Sequence, residues 1–277
     1  MLEIGNYNNL LVKTTSSVGV YLTDEEDDVL LPTKYVPGNI NVGDHIEVFV
    51  YLDNENRPVA TTLKPLATVG EFAFLSVKDV NPHGAFLDWG IAKDIFVSYS
   101  EQRQEMIPGN KYLVYIFIDE VSGRIAASTK WMRFLDSDLS NLEDGEEVEL
   151  LIAEKTELGY KAIINNQYEG LLYKNEVFEN LLPGEKHRGY IKQLRDDGKI
   201  DLRLQQKGYE HIEDVKLLVL KKIEELKGVL ELGDKSSPED IYSQLKISKK
   251  AFKKAIGGLF KERKITISDF KVNLVEK

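Results

Sequence analysis

Side chains able to do covalent chemistry are few in this chain and badly placed for it. The four histidines, His45, His83, His187 and His211, fall at no spacing that would gather a metal. Cysteine is absent, which excludes thiol catalysis, Cys-ligated zinc and a disulfide scaffold together. No glycine-rich loop ends in Gly-Lys-Ser/Thr, and there is no Gly-x-Ser-x-Gly elbow. Acids abound, but they gather in turns and on polar faces, their commonest use. The expectation is a protein that is not an enzyme and takes no cofactor. What the chain does offer is non-covalent chemistry: rings that follow glycines, and strings of lysine and arginine. Rings can stack on nucleobases, and cations can neutralise phosphates.

The best-placed ring is Phe86, in Gly84-Ala85-Phe86-Leu87. In a period-two strand Ala85 and Leu87 share one face and Phe86 and Asp88 the other. Small and apolar residues suit a core, so Phe86 is expected to point outward. The elements that would hold it are short strands cut by glycine and proline. A strand through Val77 to Asn81 turns at Pro82-His83 and restarts at Gly84, and Ile95-Phe96-Val97 ends at Ser98. A Pro108-Gly109 turn, the run Tyr112 to Ile118, a Ser122-Gly123 turn and Arg124 to Ser128 follow. Five strands in roughly 60 residues predict a small closed β-barrel. In that frame Trp89 and Phe96 read as core.

The punctuation recurs. Gly5, Gly19, Gly43 and Arg57 precede Gly70, Gly84, Gly109 and Arg124 by 65, 65, 66 and 67 residues, and Gly145, Gly159, Gly184 and Lys199 follow the same four by 75. Constant offsets over four landmarks predict three tandem copies of one domain, at 1–66, 67–132 and 144–206, with a linker at 133–143. Units of this size can each bury a small core.

The residues His83-Gly84-Ala85-Phe86-Leu87, followed by Ile95-Phe96-Val97-Ser98-Tyr99-Ser100-Glu101, resemble the S1 RNA-binding domain, a five-stranded OB-fold barrel. The third copy is similar at the second motif, Gly170-Leu171-Leu172-Tyr173-Lys174-Asn175-Glu176. Three such domains before a basic helical C-terminus resemble the conserved virulence factor B family of bacterial RNA-binding proteins. The resemblance implies that His83 occupies a stacking position beside Phe86. It also implies that Ser98 stands where the family favours histidine, removing one ring, and that Tyr173 falls on that same position in the third copy.

In the first copy only Tyr21 remains as a stacking candidate, since Val18 and Pro32 replace family rings and Asp24 to Asp28 form an acidic turn. A barrel facing protein, or serving structure alone, is the other reading there. The third copy puts Lys161 at the outward position, with Tyr173 and Lys174 nearby. Its last two strands carry Lys186, Arg188, Lys192, Arg195, Lys199 and Arg203 against Asp196, Asp197 and Asp201, which suits a groove that tracks a backbone. An exposed hairpin of mixed charge would read the same way.

After Gln206 the apolar period changes to about 3.6. Ile212, Val215, Leu218, Val219, Ile223 and Leu226 form a stripe, and Ser237-Pro238-Glu239-Asp240 is a helix start. A third helix begins at Ser248, and Lys264 to Ile267 and Phe270 to Val275 read as two strands. Three helices and a hairpin look like a winged helix over 207–277. Its third helix carries Lys249, Lys250, Lys253 and Lys254, which repel one another unless an anion intervenes. The fold class is therefore multidomain and mainly β: three S1-type OB barrels followed by a winged-helix domain.

Charge is unevenly spread over the 277 residues, whose net is −10. Residues 1–210 hold 21 basic and 35 acidic groups, and residues 211–277 hold 15 and 11. An acidic total disfavours nucleic acid, but screening over about 8 Å lets a local basic patch act alone. No apolar run approaches the roughly 18 residues that cross a membrane, and no signal peptide is visible, so a cytoplasmic, monomeric protein is expected. The expected partner is single-stranded RNA, laid over the second and third barrels, with duplex nucleic acid open to the winged helix. The implied outcome is altered expression of other genes, virulence factors among them. Two rivals stand beside this reading: a scaffold whose acidic barrels dock a basic protein, and winged-helix-led DNA binding.

Overall fold

Each glycine-punctuated segment closes into a five-stranded barrel. The computed structural model describes residues 1–174, 176–177, 180–204 and 212–275; Asn175, Gln206, His211 and the side chain of Ile212 lie outside the description. The first barrel consists of β1 (Tyr7–Ser16), β2 (Gly19–Thr23), β3 (Asp28–Pro32), β4 (His45–Leu52) and β5 (Pro58–Thr61). The second consists of β6 (Phe72–Asn81), β7 (Gly84–Leu87), β8 (Ile95–Ser98), β9 (Lys111–Ile118) and β10 (Ile125–Ser128). The third has β11 (Glu147–Lys155), β12 (Gly159–Ile164), β13 (Tyr168–Tyr173), β14 (Lys186–Leu194) and β15 (Ile200–Arg203). In all three the first, second, third, fifth and fourth strands are neighbours in that order. The third and fifth strands pair in parallel, and the fourth returns to the first to close the ring.

The copies agree down to local irregularities. The first strand of each is bulged against its partner, between Val12 and Thr14, Val77 and Asp79, and Ile152 and Glu154. These positions keep the 65- and 75-residue offsets of the sequence repeat. The glycine opening each second strand has a steric cause. A Cβ on Gly19, Gly84 or Gly159 would lie 2.1, 2.2 or 1.9 Å from the carbonyl oxygen of Leu31, Val97 or Leu172 on the neighbouring strand.

The chain divides into two compact units, Met1–Leu135 and Asp136–Lys277. Within the first unit the two barrels share apolar contact. Phe49 and Tyr51 of β4 belong to the same buried cluster as Leu87, Trp89 and Ile95 of the second barrel. The Phe49 and Trp89 rings meet edge to face with centroids 5.2 Å apart, and the Trp89 indole N–H donates to the carbonyl of Ala67 at 2.7 Å. Trp89 is thus core, as its sequence context implies.

In the second unit Leu142 packs into the third barrel beside Val148 and Leu150. Beyond it lie α1 (Ile212–Glu225), β16 (Val229–Leu230), α2 (Pro238–Leu245), α3 (Lys249–Lys261), β17 (Ile265–Ile267) and β18 (Val272–Leu274). Ser237 and Ser248 cap α2 and α3, accepting from the backbone N–H of Asp240 and Ala251 at 3.0 and 3.1 Å. Val215, Val219 and Ile223 of α1 pack with Phe252, Ala255, Ile256 and Leu259 of α3. Two details depart from the sequence reading. The hairpin gains a third strand, β16, too short to show a period. Leu226, expected on the apolar stripe, is exposed, because the helix has ended and Lys227 turns the chain at φ +56°. Among the described residues no helix is long and apolar enough to cross a membrane.

Candidate nucleic-acid interface

The site begins with one row of side chains across the second barrel. Phe86 on β7 pairs with Phe96 on β8, Phe96 with Ala126 on β10, and Ala126 with Phe117 on β9. Alternation turns this row outward: Ala85, Leu87, Ile95, Val97, Ile116 and Ala127 are buried, whereas Phe86, Phe96, Ala126 and Phe117 are only partly covered. Phe86 and Phe96 contact each other at 5.1 Å between centroids. Phe117 leans on Phe134 at 5.2 Å, with the Arg133 guanidinium 5.6 Å from its ring centre. Between the two aromatic groups the small Ala126 leaves a floor. The groove above it encloses about 520 Å³, with His83, Ser98, Lys93 and Arg124 also in its lining.

Structure and sequence agree on part of this lining. Phe86, His83 and Ser98 come together, Phe86 outward as the alternation requires; His83 is exposed in a turn capped by Asn81, and the Ser98 and Ser100 hydroxyls are 2.8 Å apart. Phe96 was expected in the core and instead lines the groove, since Ile95 and Val97 take the inward positions of β8. Arg124, Phe117 and Lys93 were not anticipated. Arg124 sat in view as the fourth landmark of the repeat, matched by Arg57 and Lys199.

The same row has other contents elsewhere. In the first barrel it reads Tyr21, Leu30, Val59, Tyr51. Tyr51 is buried against the second barrel, so Tyr21, 37% exposed, is the one accessible ring of the row. In the third barrel it reads Lys161, Leu171, Asp201, Gln193. Lys161 lies between Glu169 at 3.1 Å and Glu154 at 3.5 Å. Tyr173 donates its hydroxyl to Asp201, and Lys192 sits over its ring at 5.8 Å while pairing with Glu176. Arg195 and Lys199 both pair with Asp197 at 3.1 Å, and Arg188 reaches Glu147 at 3.6 Å. Arg203 is half-buried, its Nε without a hydrogen-bond partner among the described residues. Lys174 and Lys186 are exposed and, among the described residues, have no carboxylate partner.

On α3, Lys250 and Lys254 are exposed and Lys249 half-buried, all three without a carboxylate partner among the described residues. Lys253 pairs with Asp234 at 3.0 Å. Behind this face Glu262 accepts from Lys216 of α1 at 2.6 Å and from Lys264 at 2.9 Å. Those two ammonium groups hold its carboxyl down to about 2.

Comparison with known proteins fits this architecture. The S1 domain family model matches residues 4–63, and the CvfB-like winged helix domain model matches residues 218–274. The uncharacterized protein YitL of Bacillus subtilis (strain 168) is 27% identical over 272 residues, 94% of this chain and 90% of that protein. Conserved virulence factor B of Staphylococcus aureus (strain N315) is 26% identical over 246 residues, 86% of this chain and 82% of that one. A crystal structure of a multidomain protein with nucleic acid binding domains from Streptococcus pneumoniae TIGR4 is 24% identical, covering 98% of each chain with a TM-score of 0.43. The chain thus carries an S1 domain at its start and a CvfB-like winged helix at its end, and it is similar to conserved virulence factor B over most of its length.

Proposed function

We propose that this protein binds single-stranded RNA in the groove of the second barrel and acts as a regulator of gene expression without catalysing a reaction. The observation that carries the reading is the outward row Phe86, Phe96, Ala126 and Phe117 beside the cation Arg124. Rings that face a groove accept any base by stacking, and a nearby guanidinium meets the phosphates between bases. His83 and Ser98 border the same groove. Tyr21 of the first barrel, and Lys161, Tyr173, Lys174 and the 186–203 hairpin of the third, are secondary contacts. Of these cations Lys174 and Lys186 are the most available. The lysines of α3 add an electrostatic foothold. The modules 1–66, 67–132, 144–206 and 207–277 act as linked weak binders, which raises overall affinity when several engage one strand. The name of its Staphylococcus relatives, conserved virulence factor B, supports a part in virulence-factor expression.

The winged helix supports a second reading, duplex DNA binding, because Lys249, Lys250 and Lys254 present unneutralised charge on the helix that reads DNA in this fold. Competition for the full-length chain among single-stranded RNA, duplex DNA and a basic protein separates the possibilities. The expected result is displacement of a labelled RNA by unlabelled RNA at far lower concentration than by duplex DNA. Equal or better competition by the duplex would overturn it.

A further inference from the structure

We infer that the first barrel is a wall of the second barrel's groove, and that its β4–β5 turn positions Lys93 and Arg124 as a subsite for a phosphodiester of the bound strand. The inference rests on the single-strand reading above and adds a role for the first barrel.

The turn is built to be rigid. The Asp53 carboxylate accepts from the backbone N–H of Glu55 and Arg57 at 2.8 and 2.9 Å, and from the Arg57 guanidinium at 2.7 and 2.9 Å. Asn56 takes a left-handed backbone, φ +62°, at its tip. From this turn three oxygens reach the second barrel. The carbonyls of Leu52 and Asp53 accept from the Lys93 ammonium at 2.6 and 2.9 Å, and the Asn56 amide oxygen accepts from Arg124 Nε at 2.8 Å. Lys93 comes from the β7–β8 loop and Arg124 immediately precedes β10, and both line the groove together with Tyr51, Leu52 and Asn54.

All three anchoring oxygens are neutral. They orient the two cations without cancelling their charge, unlike Asp197, which pairs with both Arg195 and Lys199 in the third barrel. Burial makes the Lys93 ammonium harder to keep charged and the nearby charge of Arg124 adds to that, while the Asp53 carboxylate, itself bonded to Arg57, offsets them only in part. An anion between them would offset both effects. The acids in the same lining are committed elsewhere: Asp94 to Lys78 at 2.7 Å, Glu101 to Arg133 at 2.8 Å, and Asp119 to the backbone N–H of Ser122 at 2.7 Å. Donors remain for a ligand. Lys93 has a third N–H, and Arg124 keeps its terminal amino groups. The aromatic row supplies base contacts and this corner the backbone contact, the division expected of a single-strand groove.

The test uses the full-length chain, a fluorescent oligouridylate and three variants. Asn56→Gly removes the amide anchor but tolerates the left-handed backbone, and Lys93→Met removes the ammonium. Phe86→Ala probes the groove itself. Loss of one oriented hydrogen bond predicts roughly 2- to 10-fold weaker binding for Asn56→Gly, with an unchanged melting temperature. Lys93→Met should reduce the logarithmic salt slope by about 0.7. If both variants bind like the parent while Phe86→Ala binds weakly, the first barrel is no wall of the site and the inference fails alone. If Phe86→Ala also binds like the parent, the groove reading fails and takes the inference with it. Should Lys93→Met fail to fold, Asn56→Gly decides.

Discussion

Phe86 and Phe96 face each other across β7 and β8, ring centroids 5.1 Å apart and planes inclined at 45°. Each ring limits the other's motion, so the groove presents an ordered aromatic surface before any ligand arrives. Pre-ordering of this kind lowers the entropy lost on binding. Neither ring is required to fill the barrel, whose interior is taken by Ala85, Leu87, Ile95 and Val97.

Phe86→Ala should therefore separate binding from folding. The stacking contribution predicts a loss of roughly 1–3 kcal/mol in affinity for single-stranded RNA. Stability should fall by no more than the aromatic pair contributes, about 0.5–1.5 kcal/mol beyond the area lost. Fluorescence anisotropy paired with thermal melting reads both quantities. A collapse of the melting transition would place Phe86 among the core residues and refute the assignment.

Replacing Lys249, Lys250, Lys253 and Lys254 with glutamine keeps good helix formers on α3, so the fold should survive. Because Lys253 already pairs with Asp234, three of the four charges are available to phosphate. With about 0.7 counterion released per contact to a single strand, the salt slope should shrink by about 2. Preference among RNA sequences should stay as it was, since phosphate contacts position and base contacts specify. An unchanged slope in a titration from low to moderate salt would show that this face serves something else.

The Lys216–Glu262–Lys264 cluster ties α1 to the end of α3 and carries a pH signature. Glu262 has a folded-state pKa lowered from 4.5 to about 2. A carboxylate shifted down contributes stability above its unfolded value, and that contribution disappears as pH falls through the folded value. The difference in denaturation midpoint between parent and Glu262→Gln should be steady above about pH 4.5 and fade as pH approaches about 2. A difference independent of pH would mean that the side chain matters through packing and not through charge.

The barrels were legible in the sequence because glycines mark their turns, and because alternation in Ala85-Phe86-Leu87 distinguishes inside from outside. Phe96 escaped because Ile95-Phe96-Val97 is apolar throughout, so composition carries no trace of which residue faces out. Phe117 and Arg124 escaped for another reason. They reach the groove only because β10 inserts between β8 and β9, a pairing between distant strands that no local period encodes. Lys161 illustrates the converse. Its outward position was readable, but its neighbours Glu154 and Glu169 come from the strands on either side, and one of those registers is shifted by the bulge before Glu154. The two residues of β16 were too few to show any period.

Closure of the barrels bears on how three copies of one design share a chain. A strand left open at a sheet edge is a template for pairing, and tandem domains of similar sequence are prone to exchange such strands while folding. Here the parallel pairing of the third and fifth strands, with the fourth returned to the first, leaves each described ring without a free edge. Once a copy has closed, its siblings find no backbone to add to. Duplicated modules can then diverge in the side chains of one exposed row while the main-chain frame, its bulge and its glycine stay fixed.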